Sequence, residues 1–299
     1  MTTVSIDGRQ LKLSNLDKVL YPATGFTKGE VIDYYARIAA AAVPHYAGRP
    51  MTLKRYPNGV DDKFFFEKNC PSHRPGWVTT APTWSGHSRR TIEFCVVDSV
   101  ATLVWTANLA ALELHPSLSR AGRLDQPTMV VFDLDPGPPA GIAECCEVAC
   151  HLRDLFGHLD LQAFPKTSGS KGMQVYVPLN CPVTYDQPGG TQPFALAVAQ
   201  MLERRHPGLV VSNMAKDLRT GKVLVDWSQN DESKTTIGVY SLRAREAPTV
   251  STPLRWDEVE RADPAALRFT AGDVLERVEA HGDLFAPTLE LRQSLPRLG

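Results

Sequence analysis

Apolar and polar positions change period along this chain, and the changes mark out its elements. Thr27 with Glu30 forms a capping box ahead of VIDYYARIAAAA, which predicts a helix running to the region of Pro44. MTLKRY (51–56) and TIEFCVV (91–97) read as strands. VATLVWTANLAALEL, capped by Asp98 or Ser99, reads as one buried helix. A strand is predicted from Thr128 to Leu134 and a helix over AECCEVACHLRDLF (143–156). Further strands fall near QAFPK (162–166), MQVYVPL (173–179), LVVSN (209–213) and KVLVDW (222–227), with a helix over FALAVAQMLERR (194–205). Strands and helices mix without strict βαβ alternation, so the expected class is α+β. No repeat, low-complexity tract or long linker divides the chain. One domain is expected, with an N-terminal lobe over about 1–125 and a catalytic lobe over about 126–299.

Composition adds little to that picture but excludes several classes. The 299 residues are 43% hydrophobic and 8% aromatic, ordinary for a chain with a substantial core. No run of about 18 apolar residues exists to cross a membrane. MTTVSIDGRQLKLSN lacks the apolar stretch of a signal peptide. Six cysteines form no CxxC pair, and Cys145, Cys146 and Cys150 share a helical segment, so reduced thiols in a cytoplasmic protein are expected instead of a disulfide frame. Cys70 and His73 form a lone Cys-x-x-His, which reads as a loop. A net charge of −1 gives no bulk attraction to nucleic acid, so such a partner would need a local basic face. Lys54, Arg55, Lys63 and Lys68 are one candidate, and Lys216, Arg219 and Lys222 another.

The string VVFDLDPGP (130–138) carries the clearest chemistry. Side chains alternate along a strand, so Asp133 and Asp135 point to one face and Leu134 to the other. Two neighbouring carboxylates repel unless a cation sits between them, and an oxygen-rich site suits Mg²⁺ or Mn²⁺. In KVLVDW, Asp226 follows an apolar run and calls for a partner. Three carboxylates on two strands meet the needs of a two-metal phosphoryl-transfer site, with ions about 3.5–4 Å apart. KTSGSKGMQVYVPL (166–179) adds Gly169 and Gly172 for close backbone approach to an anion, with Ser168, Ser170 and Lys171 as donors. It is not a P-loop, because GxxxxGK[ST] is absent.

FDLDPGP, TSGSKG, VDWSQN (225–230) and KTTIGVYSLR (234–243) resemble the polymerase domain of bacterial ligase D, within the archaeo-eukaryotic primase superfamily. LDKVLYPATGFTK (16–28), KRYPNGV (54–60) and FFFEK (64–68) extend the resemblance over nearly the whole chain. It implies a primase-polymerase fold of mixed and antiparallel sheets flanked by helices. It also implies nucleotide addition to DNA 3′ ends in gap filling and non-homologous end joining. By the same resemblance Asp133, Asp135 and Asp226 bind two Mn²⁺ or Mg²⁺ ions. Ser168, Lys171, Gln229 and Arg243 serve the incoming NTP or dNTP, and Lys54 and His115 contact it near its sugar. Phe64 or Phe65, with Phe65 favoured, stacks on its base. Asn15, Lys18 and Lys28 bind a 5′-phosphate, and Arg219 touches DNA backbone. Implied partners are gapped or broken DNA, a DNA ligase and an end-binding protein, at the nucleoid and not at a membrane.

Gln174 departs from this pattern, standing where the family commonly has a histidine that reaches the nucleotide phosphates. An amide donates without positive charge, so a weaker phosphate contact is expected. No ligase or nuclease module follows LRQSLPRLG, which suggests a stand-alone polymerase or an excised domain. A haloacid-dehalogenase-type phosphatase also places DxD after an apolar strand, but here Gly137 occupies its Thr or Val position and no GDxxxD pair follows. A non-catalytic DNA-end-binding scaffold has only Gln174 in its favour.

Overall fold

The computed structural model of the chain describes residues 2–85 and 89–296. They form two compact units. The first comprises residues 1–122, 235–250 and 270–283, and the second 123–234, 251–269 and 284–299. The expected lobes therefore differ from these units: two segments assigned to the catalytic lobe belong with the first. Hydrogen bonds explain why, since Gly238 N donates to Leu114 O, and Tyr34 and Tyr46 hydroxyls donate to the carbonyls of Tyr240 and Val239.

The first unit begins with an antiparallel hairpin of β1 (Thr2–Ile6) and β2 (Arg9–Leu13), turned at Asp7–Gly8, both at positive φ. β3 (Val19–Tyr21) and β4 (Phe26–Thr27) lead into α1 (Lys28–Tyr46), whose N-cap Thr27 and Glu30 form the expected capping box. β5 (Pro50–Arg55) pairs antiparallel with β6 (Phe65–Glu67), and also with β8 (Arg90–Val96), which in turn pairs with β7 (Thr80–Ser85). α2 (Val100–Asn108) follows, capped by Ser99. It ends six residues earlier than the apolar run suggested. Ala110 takes a positive φ of 57°, and Ala111–Pro116 becomes strand β9 on β5. A fully buried strand is as apolar as a buried helix, so the run alone could not separate the two.

One cysteine expectation fails here. Cys70 and Cys95 are joined in a disulfide across 25 residues. Cys70 N donates to Glu93 O (2.5 Å) and Glu93 N donates to Asn69 Oδ1 (3.0 Å), so the segment after β6 lies along β8 and brings the sulfurs together. The other four cysteines are free thiols.

β10 (Ser119–Arg120) ends the first unit's opening run, and β11 (Arg123–Pro127) opens the second. The second unit is built on β12 (Met129–Pro136), the central strand of a five-stranded sheet. α3 (Ile142–His158), β13 (Phe164–Thr167), β14 (Met173–Pro178), α4 (Thr191–Arg205), β15 (Val210–Val211) and β16 (Val223–Asp226) complete it. The strand order is β13-β14-β12-β16-β15, antiparallel except for β15 with β16. Val130, Phe132 and Leu134 of β12, with Met173, Val175 and Val177 of β14 and Val223 and Val225 of β16, bury one face in a core shared with α3 and α4. Each such side chain contributes about 1.5–3 kcal/mol, which fixes the register of the strands against a one-residue slip. α5 (Trp256–Arg261) packs on α3, and α6 (Ala271–His281) belongs to the first unit. No helix among the described residues is long and apolar enough to cross a membrane.

Candidate active site

The register that buries Phe132 and Leu134 turns Asp133 and Asp135 to the opposite face. Antiparallel pairing sets Asp133 directly across from Asp226 on one side and from Gln174 on the other, and Gln174 from Lys166. Four adjacent strands thus present one polar row: Lys166, Gln174, Asp133, Asp226. Carboxylate oxygens of Asp133, Asp135 and Asp226 all lie within 4.8 Å of one another. Among the described residues this is the one group of three or more His, Cys, Asp or Glu side chains so placed. Their mutual repulsion and their oxygen-only donor set fit a hard divalent cation.

Each carboxylate is held differently. Asp226 is buried, and its own following turn orients it: Ser228 N (2.9 Å) and Ser228 Oγ (2.6 Å) donate to Oδ1, and Gln229 Nε2 to Oδ2 (2.7 Å). Asp133 is half-buried, and burial first, then the charges of Asp135 and Asp226, push its carboxyl up to about 7. The Gln174 amide and the Lys166 charge pull the other way. Asp135 is exposed at the strand end. Asn230, absent from the sequence expectations, pins β12 in place: its amide both accepts from Val131 N (2.9 Å) and donates to Val131 O (2.7 Å).

Gln174 does not stand open to solvent. Only 2% of it is exposed, and its Oε1 accepts from Lys166 Nζ (2.6 Å) and Tyr176 hydroxyl (3.1 Å). Lys166 is a fully buried lysine that also donates to Ser251 Oγ (2.6 Å). Gln174 thus lies across from Asp133 and is tied to Lys166 and Tyr176. Gln229 is likewise engaged with Asp226. In the glycine turn, Ser168 Oγ accepts from Ser170 N and Gly172 N, while Lys171 is exposed. Gly172 is required by close approach, since a Cβ there would lie 2.0 Å from Leu134 O. Arg219, at the end of the 3-10 turn Lys216–Arg219, donates to Met214 O.

In the first unit a second set gathers around Glu113 of β9. His115 Nε2 lies 3.0 Å from its Oε2, and Arg243 Nε and Lys54 Nζ lie 3.5 and 3.6 Å from its Oε1. Burial alone would raise the Glu113 carboxyl, but the His115 hydrogen bond and the charges of Arg243 and Lys54 outweigh it and hold it down to about 2. At His115 burial prevails over the carboxylate and lowers the imidazole. Strand alternation divides the phenylalanines. Phe64 and Phe66 flank Lys54, with Nζ 4.2 and 5.6 Å from their ring centres, whereas Phe65 lies over Arg55 at 5.1 Å. All three rings are 43–57% exposed. Phe64, not the favoured Phe65, shares the face of Lys54.

Asn15, Lys18 and Lys28 also lie together. Lys18 N donates to Asn15 O (3.1 Å), and Lys28 N to Lys18 O (2.8 Å). Lys18 Nζ reaches Asn58 Oδ1 (2.9 Å) at the surface. Lys28 is buried against Ser14 O (2.7 Å), and burial, then Lys18 and Arg55, lower its ammonium.

The LigD primase-polymerase domain family matches residues 27–285. The chain belongs to that family. Its chemistry is nucleotidyl transfer, so the LigD-type chain is an enzyme domain of that class. Among curated relatives, the multifunctional non-homologous end joining protein LigD of Mycolicibacterium smegmatis is 46% identical over 280 residues, covering 93% of this chain and 36% of the relative. The bifunctional LigD of Bacillus subtilis is 31% identical over 274 residues, covering 91% of this chain and 43% of the relative. The chain thus spans less than half the length of these relatives. The polymerase domain from Mycobacterium tuberculosis ligase D in complex with DNA matches with a TM-score of 0.87 and 44% identity, covering 93% of this chain and 98% of that one. The expected α+β primase-polymerase fold is therefore correct.

Proposed function

We propose that this LigD-type chain adds ribo- or deoxyribonucleotides to the 3′ ends of primed or gapped DNA during double-strand-break repair. The observation that carries the reading is the convergence of Asp133, Asp135 and Asp226 on neighbouring strands of a primase-polymerase fold. Asp133, Asp135 and Asp226 hold two Mn²⁺ or Mg²⁺ ions. Divalent ions bound there supply activation of the 3′ hydroxyl and charge neutralisation on the triphosphate. Gln174, backed by Lys166, orients Asp133, while Ser228 and Gln229 orient Asp226. Ser168, Lys171 and Arg243 hold the triphosphate, Lys54 and His115 contact the nucleotide near its sugar, and an aromatic ring of the 64–66 run stacks on a base regardless of its identity. Lys18 and Lys28, with Asn15, hold the 5′-phosphate across a gap, and Arg219 contacts DNA backbone. A DNA ligase and an end-binding protein are the partners this role calls for.

Primer extension with Mn²⁺ and ribonucleotides tests the reading directly. Asp226→Ala abolishes addition while leaving DNA binding largely intact, because phosphates and bases are held by cations and rings. Extension by Asp226→Ala at near wild-type rate would show the metal assignment to be wrong. The dehalogenase-type phosphatase alternative has no support once the family is established.

A further inference from the structure

Glu113 belongs to none of the roles implied by the family resemblance, yet three residues proposed to bind the nucleotide converge on it. Its side chain is 3% exposed, and a carboxylate so deeply placed is stable only with compensating partners. Oε2 takes the His115 imidazole at 3.0 Å. Oε1 faces both Lys54 Nζ and Arg243 Nε, and it accepts the backbone N–H of Ala244 at 3.1 Å. The backbone of Arg243 is fixed from two further sides, its N–H donating to Thr249 O (2.7 Å) and its carbonyl accepting the Tyr21 hydroxyl (3.0 Å). Glu113 therefore ties side chains from β5, β9 and the segment after Tyr240 to one point. Burial, and after it the like charge of Arg243, lower the Lys54 ammonium, and the Glu113 carboxylate opposes both.

We propose that Glu113 is a positioning residue that holds Lys54, His115 and Arg243 preformed for the incoming nucleotide; this rests on the nucleotide-binding roles given to those three above. Charge and distance both suit the task. Two permanent cations against one carboxylate leave a net positive site for a triphosphate. The 3.5–3.6 Å separations are longer than full hydrogen bonds, so a phosphate can compete for either cation without dismantling the cluster.

The test is steady-state kinetics of GTP addition opposite a templating C, with Mn²⁺, on Glu113→Gln and Glu113→Asp. Glu113→Gln keeps the shape and removes the charge. It should raise the KM for GTP by about tenfold or more while kcat stays within about threefold and DNA affinity is unchanged. Combining Glu113→Gln with Lys54→Ala should raise KM little beyond Lys54→Ala alone, because both remove one cooperative unit. Thermal melting confirms folding, and if Glu113→Gln does not fold, Glu113→Asp, which retracts the carboxylate by one methylene, should still raise KM about threefold or more. A KM within about twofold of wild type in the folded variant, or fully additive effects in the double variant, overturns the proposal. Unchanged KM in Lys54→Ala and Arg243→Ala would instead overturn the nucleotide-site reading on which it rests.

Discussion

Replacing Gly172 by alanine should cripple catalysis through a single methyl group. The added Cβ would sit 2.0 Å from Leu134 O and 3.1 Å from Pro136 Cδ, and Leu134 lies between Asp133 and Asp135 on β12. Non-bonded contacts to a Cβ below about 3 Å do not persist, so one backbone must move by about 1 Å. β12 is hydrogen-bonded on both sides and pinned by Asn230, whereas the turn carrying Gly172 is held mainly through Ser168. The turn yields, and Ser168 and Lys171 move with it. Overpacking of this kind costs about 1–3 kcal/mol, which lowers Tm by roughly 2–10 °C in a domain of this size. A displacement of about 1 Å beside the reacting centre costs up to about 100-fold in rate. Primer-extension kinetics and thermal melting measure both effects. The matched control is Gly157→Ala in α3, where a Cβ meets nothing within 4 Å. That change should be neutral or stabilising by up to about 1 kcal/mol. Wild-type kcat and Tm in Gly172→Ala would refute the steric argument.

Other consequences follow from the same geometry. Gapped DNA with a 5′-phosphate should bind more tightly than gapped DNA without one, more weakly as salt rises, and Lys18→Ala should erase the difference; equal affinity of the wild type for both would end that assignment. Gln174→His should destabilise the protein by about 1–3 kcal/mol in urea titrations, because the buried Lys166 and Tyr176 donors lose their shared acceptor. It should not tighten nucleotide binding, and an improved nucleotide KM at low pH would show that position 174 reaches the triphosphate after all. Glu113, held down to about 2, contributes stability that is complete above its ordinary value near 4.5 and disappears as pH falls toward 2. Wild type and Glu113→Gln should therefore differ most in urea midpoint near neutrality and converge in acid.

The acidic pair on β12 was legible in the sequence because two simple periodicities agree. An apolar run forces a buried strand, and strand alternation then puts Asp133 and Asp135 on one face. That Asp226 lies opposite Asp133 depends on antiparallel register, which no local string encodes. Glu113 was hidden because LVWTANLAALEL reads equally well as one helix, and only the positive φ of Ala110 breaks it into helix and strand. Lys166 was passed over because lysines are rarely buried, and its partners Gln174 and Ser251 come from different parts of the chain. The Cys70–Cys95 bond had no sequence signature either, since the sulfurs meet only once the segment after β6 lies along β8. The burial of Gln174 was not legible either, because its partners Lys166 and Tyr176 meet it only through strand pairing and alternation.

The chain passes between its two units after residues 122, 234, 250, 269 and 283. Neither unit is a contiguous stretch of sequence. A fragment ending at residue 234 would lack the 235–250 and 270–283 segments of the first unit, and with them Tyr240 and Arg243. The same cut takes 251–269 and 284–299 from the second unit, so a single break there leaves both units short of their own segments.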